Sequence, residues 1–228
     1  HAGMIIGVIG ILYGAKLAFA QRDLKRMIAY TSISHMGFVL LAVFSLNELA
    51  LKGGILQMVA HGISTGALFI IAGSIQERIH TRNMNEMGGF WQTAPKMGGI
   101  TMVFVLASLG LPGMGNFIAE FLILLGTFQT NMVYSIVAAL ALIASAIYAL
   151  YIIQRVFHGN LPATNKLADF SPREMVIGFT MVLIIFWLGL FPKTLFQAAE
   201  PPLKDIRYQI QGTSQLKSGY NHLYTFYP

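Results

Sequence analysis

Three titratable side chains interrupt the long apolar segments of this sequence: His35, His61 and Glu120. A carboxyl group at the centre of a membrane helix costs roughly 2.5–3.5 kcal/mol to insert, so the default interpretation of such a residue is a functional one. Glu120 also follows directly on residues 111–116, where Pro112 and two glycines break a helix and leave backbone groups unpaired. Imidazole titrates near neutral pH and can accept a proton on one nitrogen while releasing one from the other. The three residues together predict a path for a small cation, most simply a proton.

Each of these residues also has a purely structural interpretation. Glu120 would then be a carboxyl group that burial keeps protonated, and each histidine a neutral ring satisfied by a hydroxyl or carbonyl group. Four accessory candidates for the path are Lys16, Ser32, Ser34 and Ser64, with the serines holding bridging water. Lys16 lies about one turn from the end of its segment. Its ammonium group therefore either reaches the interface on its long stem or forms the entry to the path.

The segments that must position these residues are membrane helices. The sequence has 55% hydrophobic and 11% charged residues and a mean hydropathy of +0.64, whereas soluble domains carry about 25% charged residues. Spanning a hydrocarbon core takes around 20 helical residues. Six stretches meet this requirement, the fourth with a break: 2–20, 27–45, 54–75, 98–129, 132–156 and 174–192. The fold class predicted is therefore an all-α, polytopic transmembrane bundle of about six helices, one of them broken.

Charge and cysteine content exclude several functions. The net charge of +6 comes from basic residues at segment ends and in loops, without the interleaved aromatic residues of a nucleic-acid site. The chain has no cysteine, which excludes thiolate-ligated zinc, cysteine-ligated iron–sulfur clusters and disulfides. We therefore expect no nucleic-acid partner, no metal and no cofactor bound by this chain.

The basic residues also predict the orientation of the bundle. The loops after spans one, three and five are rich in basic residues, whereas the loops on the other side contain Lys52 alone. The basic residues of the first set of loops are Arg22, Lys25, Arg26, Arg78, Arg82, Lys96, Arg155, Lys166 and Arg173. Short loops rich in Lys and Arg remain on the cytoplasmic side, which places residues 21–26, 76–96 and 154–173 there or on the equivalent matrix side. In the third loop, Ser171-Pro172-Arg173-Glu174 has the pattern of a helix start. Residues 1–196 are predicted to form the membrane domain and 197–228 a polar tail.

Four segments carry a resemblance to a known family. Residues 20–38 read AQRDLKRMIAYTSISHMGF, and the later segments are QMVAHG at 57–62, ERIHTR at 77–82 and LPGMGNFIAEF at 111–121. Together they are similar, in order, to the antiporter-like membrane subunits of respiratory complex I. The resemblance covers about residues 2–195, and within the family it favours chain M, since chains L and N and the sodium/proton antiporter subunits usually carry Lys where this sequence has Glu120.

The resemblance implies a fold and a site. Family members contain two five-helix repeats of inverted topology, each with one broken helix. This chain would hold the second repeat and the final helix, as the C-terminal part of a longer subunit. His35 and His61 would belong to a hydrated central axis and Glu120 to its terminal proton site. The buried glutamate and lysines of the first part of the family pattern have no counterparts here, and Lys16 matches no functional position, so we expect that this segment does not pump protons alone.

Three functions remain open at this level. The first is a proton-translocating subunit of NADH:quinone oxidoreductase in a bacterial inner membrane. NADH, flavin, iron–sulfur clusters and quinone would be bound by partner subunits, and chains of the L and N type would be neighbours. The second is a subunit of a cation/proton antiporter or of a membrane-bound hydrogenase. The third is a structural module that only braces its partners.

Overall fold

The computed structural model describes residues 1–160 and 167–201. Residues His1–Pro192 form one compact unit and Lys193–Pro228 a second. The tail predicted for residues 197–228 lies almost entirely outside the described residues. All the positions discussed below belong to the first unit.

In the described residues the regular elements are helices, which confirms the predicted fold class. Five helices of the described residues are long and apolar enough to cross a membrane: Ala2–Phe19, Leu24–Ser45, Glu48–Ile79, Met132–Val156 and Pro172–Leu190. Two short 3₁₀ helices, Met84–Glu86 and Phe90–Gln92, follow the third of these. The bounds of the α-helices are α1 Ala2–Phe19, α2 Leu24–Ser45, α3 Glu48–Ile79, α4 Pro95–Leu109, α5 Gly115–Thr130, α6 Met132–Val156 and α7 Pro172–Leu190.

The predicted broken span is the pair α4 and α5. These helices have 15 and 16 residues, so each is about 23 Å long, short of the roughly 30 Å of a hydrocarbon core. At the end of α5, Gln129 Oε1 accepts a 3.0 Å hydrogen bond from Nδ2 of Asn47, the residue that caps the start of α3. At the start of α4, the chain lies beside the loop that follows α3. The two short helices therefore run antiparallel to α3 and together cover its length.

Loops that were predicted to share one side of the membrane meet at one end of the bundle. The Leu24 and Met84 amides donate to the Arg82 and Arg22 carbonyls at 2.9 and 2.8 Å, which joins the loops after α1 and α3. Gly89 N donates to the carbonyl of His158, after α6, at 3.0 Å. The described basic residues of these loops thus lie at a common end. Their assignment to the cytoplasmic side remains a prediction.

The start of α7 has the predicted capping chemistry and is fixed to the end of α3. Ser171 and Glu174 form a capping box, in which each side chain bonds the backbone amide of the other residue. The Arg78 Nη2 atom of α3 donates to both carboxylate oxygens of Glu174 at 2.8 Å. Because hydrogen bonds between charged groups are stronger than neutral ones, this contact holds the start of α7 against the end of α3.

Asp169 caps the start of α4 from a distant part of the sequence. Residue Ala94, at the N-cap position, offers no side-chain hydrogen bond. Asp169 instead accepts from the backbone amides of Lys96 and Met97, at 3.2 and 3.0 Å. We expect Asp169→Ala to lower the free energy of unfolding by about 1 kcal/mol, the usual contribution of an N-cap side chain. Thermal denaturation of the detergent-solubilised chain measures this.

Lys96→Ala is the matched control for that measurement. It removes an exposed side chain but keeps the backbone amide that Asp169 accepts from. Its melting temperature should stay equal or rise slightly, since a cation at a helix N-terminus is unfavourable. Equal losses in the two variants would show that Asp169 does not act as a cap.

Candidate proton-transfer site

His35 of α2 and Glu120 of α5 are in direct contact at the centre of the bundle. His35 Nδ1 lies 2.8 Å from Glu120 Oε1. The two residues are only 1% and 2% exposed. At this distance one hydrogen bond joins the ring to the carboxyl group, and the proton in that bond can belong to either His35 Nδ1 or Glu120 Oε1.

Gln57 is a second donor to the same carboxylate oxygen. Its Nε2 atom lies 3.0 Å from Glu120 Oε1, and the residue is fully buried on α3. Sequence reasoning did not select Gln57, although a signal was present. It precedes His61 by four residues, a spacing that places both on one face of a helix.

Two hydroxyl groups face the other nitrogen of His35. Tyr148 Oη of α6 lies 3.3 Å from His35 Nε2, and Ser108 Oγ of α4 lies 3.4 Å from it. Both contacts are buried, and neither residue was predicted from the sequence. Ser108 stands two residues before the break at Gly110, which was a signal. Tyr148 carried none, since it lies within an ordinary apolar segment.

His61 lies beside His35 but bonds to different groups. The ring centroids of the two histidines are 5.1 Å apart and the planes are tilted by 42°. His61 Nε2 lies 2.7 Å from Ser32 Oγ, and Thr65 Oγ1 is 3.2 Å from both ring nitrogens. A proton passing from His61 to His35 therefore needs either a ring rotation or an intervening group.

The accessory candidates have different surroundings. Ser64 Oγ donates to the carbonyl of His61 at 3.3 Å and accepts from Asn116 Nδ2 at 3.2 Å. Ser34 Oγ donates to the carbonyl of Ile11 on α1 at 2.9 Å. Lys16 is exposed near the end of α1, and in the described residues it has no hydrogen bond to His35 or His61. Ser32 and Ser64 thus touch His61, whereas Ser34 and Lys16 touch neither histidine side chain.

The carboxyl group of Glu120 lies against the helix break. Gly110 ends α4 with φ of +81°, and Gly113 has φ of +96°, conformations that favour glycine. Pro112 between them has no amide hydrogen with which to continue a helix. A Cβ atom placed on Gly110 would come within 3.3 Å of Glu120 Oε2. The break therefore presents backbone without side chains to the carboxyl group.

Gly189 of α7 packs directly on this break. A Cβ atom at Gly189 would collide with the Gly113 carbonyl. Since backbone atoms cannot move aside cheaply, we expect Gly189→Ala to lower the free energy of unfolding by about 1–3 kcal/mol. The control is Gly62→Ala, where a Cβ atom would meet nothing within 4 Å. Equal melting temperatures for the two variants would show that α7 does not pack on the break.

In residues 1–160 and 167–201, no group of three or more His, Cys, Asp or Glu side chains has the arrangement of metal ligands. The site consists instead of a ring with two bonded nitrogens, a carboxyl group and neutral donors. Such a ring can accept a proton at Nε2 from the hydroxyl side and release the Nδ1 proton to the carboxylate. The geometry is therefore suited to proton transfer through His35 to Glu120.

The sequence of this chain matches a known protein family. Residues 1–147 match the family described as NADH:quinone oxidoreductase/Mrp antiporter, TM. The chain belongs to this family. It is thus an integral membrane protein, and the predicted resemblance is confirmed.

Two relatives with curated names are subunits of NADH-quinone oxidoreductases. The chain is 42% identical over 206 residues to NADH-quinone oxidoreductase subunit M of Pseudomonas aeruginosa, covering 90% of this chain and 40% of that protein. It is 41% identical over 207 residues to the subunit M of Escherichia coli K12, with 90% and 41% covered. The chain therefore spans about two fifths of the length of these family members.

Two solved structures have a similar arrangement of helices. A chain of respiratory complex I from Thermus thermophilus with bound NADH superposes with a TM-score of 0.83 at 34% identity, covering 88% of this chain and 42% of that one. A chain of the Mrp complex from Dietzia sp. DQ12-45-1b gives a TM-score of 0.78 at 18% identity, covering 85% and 45%. The second likeness is one of fold alone.

Proposed function

We propose that this chain is part of a proton-translocating membrane subunit of an NADH:quinone oxidoreductase. The observation that carries the proposal is the buried contact between His35 and Glu120 beside a broken membrane helix. The names of the relatives support the choice of enzyme, since those at 41–42% identity in Pseudomonas aeruginosa and Escherichia coli are subunits M of NADH-quinone oxidoreductases.

The proposed proton path runs from His61 to His35 and then to Glu120. Ser32 and Ser64 assist at His61, and Tyr148 and Ser108 face the nitrogen of His35 at which the proton arrives. A proton accepted at Nε2 makes the His35 ring an imidazolium, and its Nδ1 proton then moves to the carboxylate of Glu120. The ring is left protonated at Nε2, and a ring turn or an exchange of the proton between its nitrogens resets it for the next transfer. Release from Glu120 completes the transfer. Ser34 and Lys16 stay as accessory proposals, because neither side chain is hydrogen-bonded to His35, His61 or Glu120.

Partner subunits supply the driving force in this proposal. NADH oxidation and quinone reduction, with flavin and iron–sulfur clusters, take place in those partners, and this chain performs no redox chemistry. Charge movement in the partners alters the field at the path, and Glu120 responds by gaining or losing its proton. Moving one charge against 100 mV costs about 2.3 kcal/mol, which a buried charge pair can exchange. Chains of the L and N type are the proposed neighbours, with the basic loops on the cytoplasmic side.

The proposal is tested with the full-length subunit purified from its native membrane through an affinity tag. We expect it to copurify with NADH-oxidising, quinone-reducing subunits. After reconstitution in sealed vesicles, NADH oxidation should move protons across the membrane and should do so without sodium. A preparation that lacks NADH oxidation but exchanges sodium for protons would contradict the proposal in favour of an antiporter. Copurifying hydrogenase activity would contradict it in favour of a membrane-bound hydrogenase.

A further inference from the structure

Gln57 is the third member of the contact between His35 and Glu120. It is an uncharged side chain, fully buried between α3 and α5, and its amide nitrogen lies 3.0 Å from the oxygen of Glu120 that also faces His35. Its own oxygen, Oε1, is buried and has no hydrogen-bond partner in the described residues. Buried polar atoms are nearly always paired, so this one needs an explanation.

In the described residues, Glu120 is the one side chain hydrogen-bonded to the Gln57 amide. No neighbour in the described residues holds Oε1, and the terminal amide torsion of Gln has a broad, roughly two-fold profile. A half-turn exchanges the nitrogen and the oxygen. The N–H group is the right partner for an ionised Glu120, which only accepts hydrogen bonds. The oxygen is the right partner for a protonated Glu120, which has an O–H group to donate.

We propose that Gln57 is a positioning residue that turns its amide with the proton on Glu120, donating to the carboxylate and accepting from the carboxylic acid. This inference rests on the proposed function, in which Glu120 changes its protonation. The bond to the carboxylate is charge-assisted and roughly twice as strong as the neutral one. Gln57 therefore favours the ionised form overall while leaving neither form without a partner.

Other groups that face Glu120 are accounted for on each packed helix. His35 on α2 is in contact with it, His61 on α3 lies behind that ring, and the Tyr148 hydroxyl of α6 faces the far nitrogen. In the described residues, α4 and α7 contribute no titratable side chain hydrogen-bonded to Glu120. Substituting Gln57 leaves all these groups in place.

Infrared spectroscopy of the full-length subunit in its complex tests the inference. The carbonyl stretch of the protonated carboxyl group is followed against pH, and the band that disappears in Glu120→Gln is assigned to Glu120. We expect this band to persist to higher pH in Gln57→Met, by about one pH unit, the shift that a tenfold change in the ratio of protonated to ionised forms produces. Gln57→Asn, which keeps a buried amide but is too short to reach Glu120, should shift in the same direction.

Thr127→Val is the matched control. Thr127 lies on α5, two turns after Glu120, and its buried hydroxyl also has no hydrogen-bond partner in the described residues. Its band should titrate as in the unmodified complex. An unchanged titration in both Gln57 variants would overturn the inference. If proton translocation survives in Glu120→Gln while the Gln57 variants still shift the band, the contact stands and the proposed function fails.

Discussion

Glu120→Gln in the full-length subunit, assembled with its complex, is expected to slow NADH-driven proton translocation by about 10²-fold or more. Gln has the same shape as Glu but takes up no proton. The loss of a group that transfers protons typically costs 10²–10⁴-fold in rate. His35 Nδ1 keeps a neutral oxygen to bond, so the fold should be preserved. The measurement is proton uptake by sealed vesicles at matched rates of NADH oxidation.

Glu77→Gln is the control, because it neutralises an exposed carboxylate at the far end of α3. It should pump as the unmodified enzyme does. Unchanged pumping in Glu120→Gln, with assembly intact, would make Glu120 a structural carboxyl group and leave the family membership as a statement of ancestry and fold.

His35→Leu should have an effect of similar size for a different reason. Among the described residues, His35 is the one hydrogen-bond partner of Glu120 that has a second titratable nitrogen. Its removal therefore interrupts the proposed path from His61. It also leaves the Tyr148 and Ser108 hydroxyls, 3.3 and 3.4 Å from His35 Nε2, without that partner. We expect proton translocation slowed about 10²-fold, measured in the same vesicles.

Thr31→Val is its matched control on the same helix. Thr31 is buried one turn from His35, and its hydroxyl donates only to the carbonyl of Ile28 on its own helix, at 2.8 Å. Pumping at the unmodified rate in His35→Leu would show that the proton reaches Glu120 by another route, and an equal loss in Thr31→Val would assign the defect to packing in α2.

Much of the fold was predictable because the bilayer imposes a simple rule. Apolar stretches long enough to span it must be helices, since a lipid-exposed backbone has no other way to pair its polar groups. The break between α4 and α5 was equally visible, because Pro112 and its neighbouring glycines cannot continue a helix. The Ser171 capping box is a local pattern and was confirmed. The cap of α4 by Asp169 was not predictable, since it joins residues more than 70 positions apart.

The candidate residues could be identified from the free-energy cost of burying a polar side chain. Which of them pair with each other could not be predicted in this way. His35, His61 and Glu120 could be named because each is polar within an apolar stretch. That His35 and not His61 touches Glu120 depends on how α2 and α5 pack, across 85 residues of sequence. Tyr148 reaches His35 across 113 residues and has an ordinary aromatic neighbourhood in the sequence. A single sequence identifies polar residues that are unfavourable to bury. It does not identify the hydrogen-bond partners that offset the free-energy cost of burying them.

Glu120 is proposed to change its protonation during turnover, and time-resolved infrared difference spectroscopy of the reconstituted complex measures that change. On addition of NADH, we expect a carboxylic-acid band that rises and falls with proton translocation and is absent from Glu120→Gln. Steady pumping with no change in that band would contradict a proton-transfer role for Glu120.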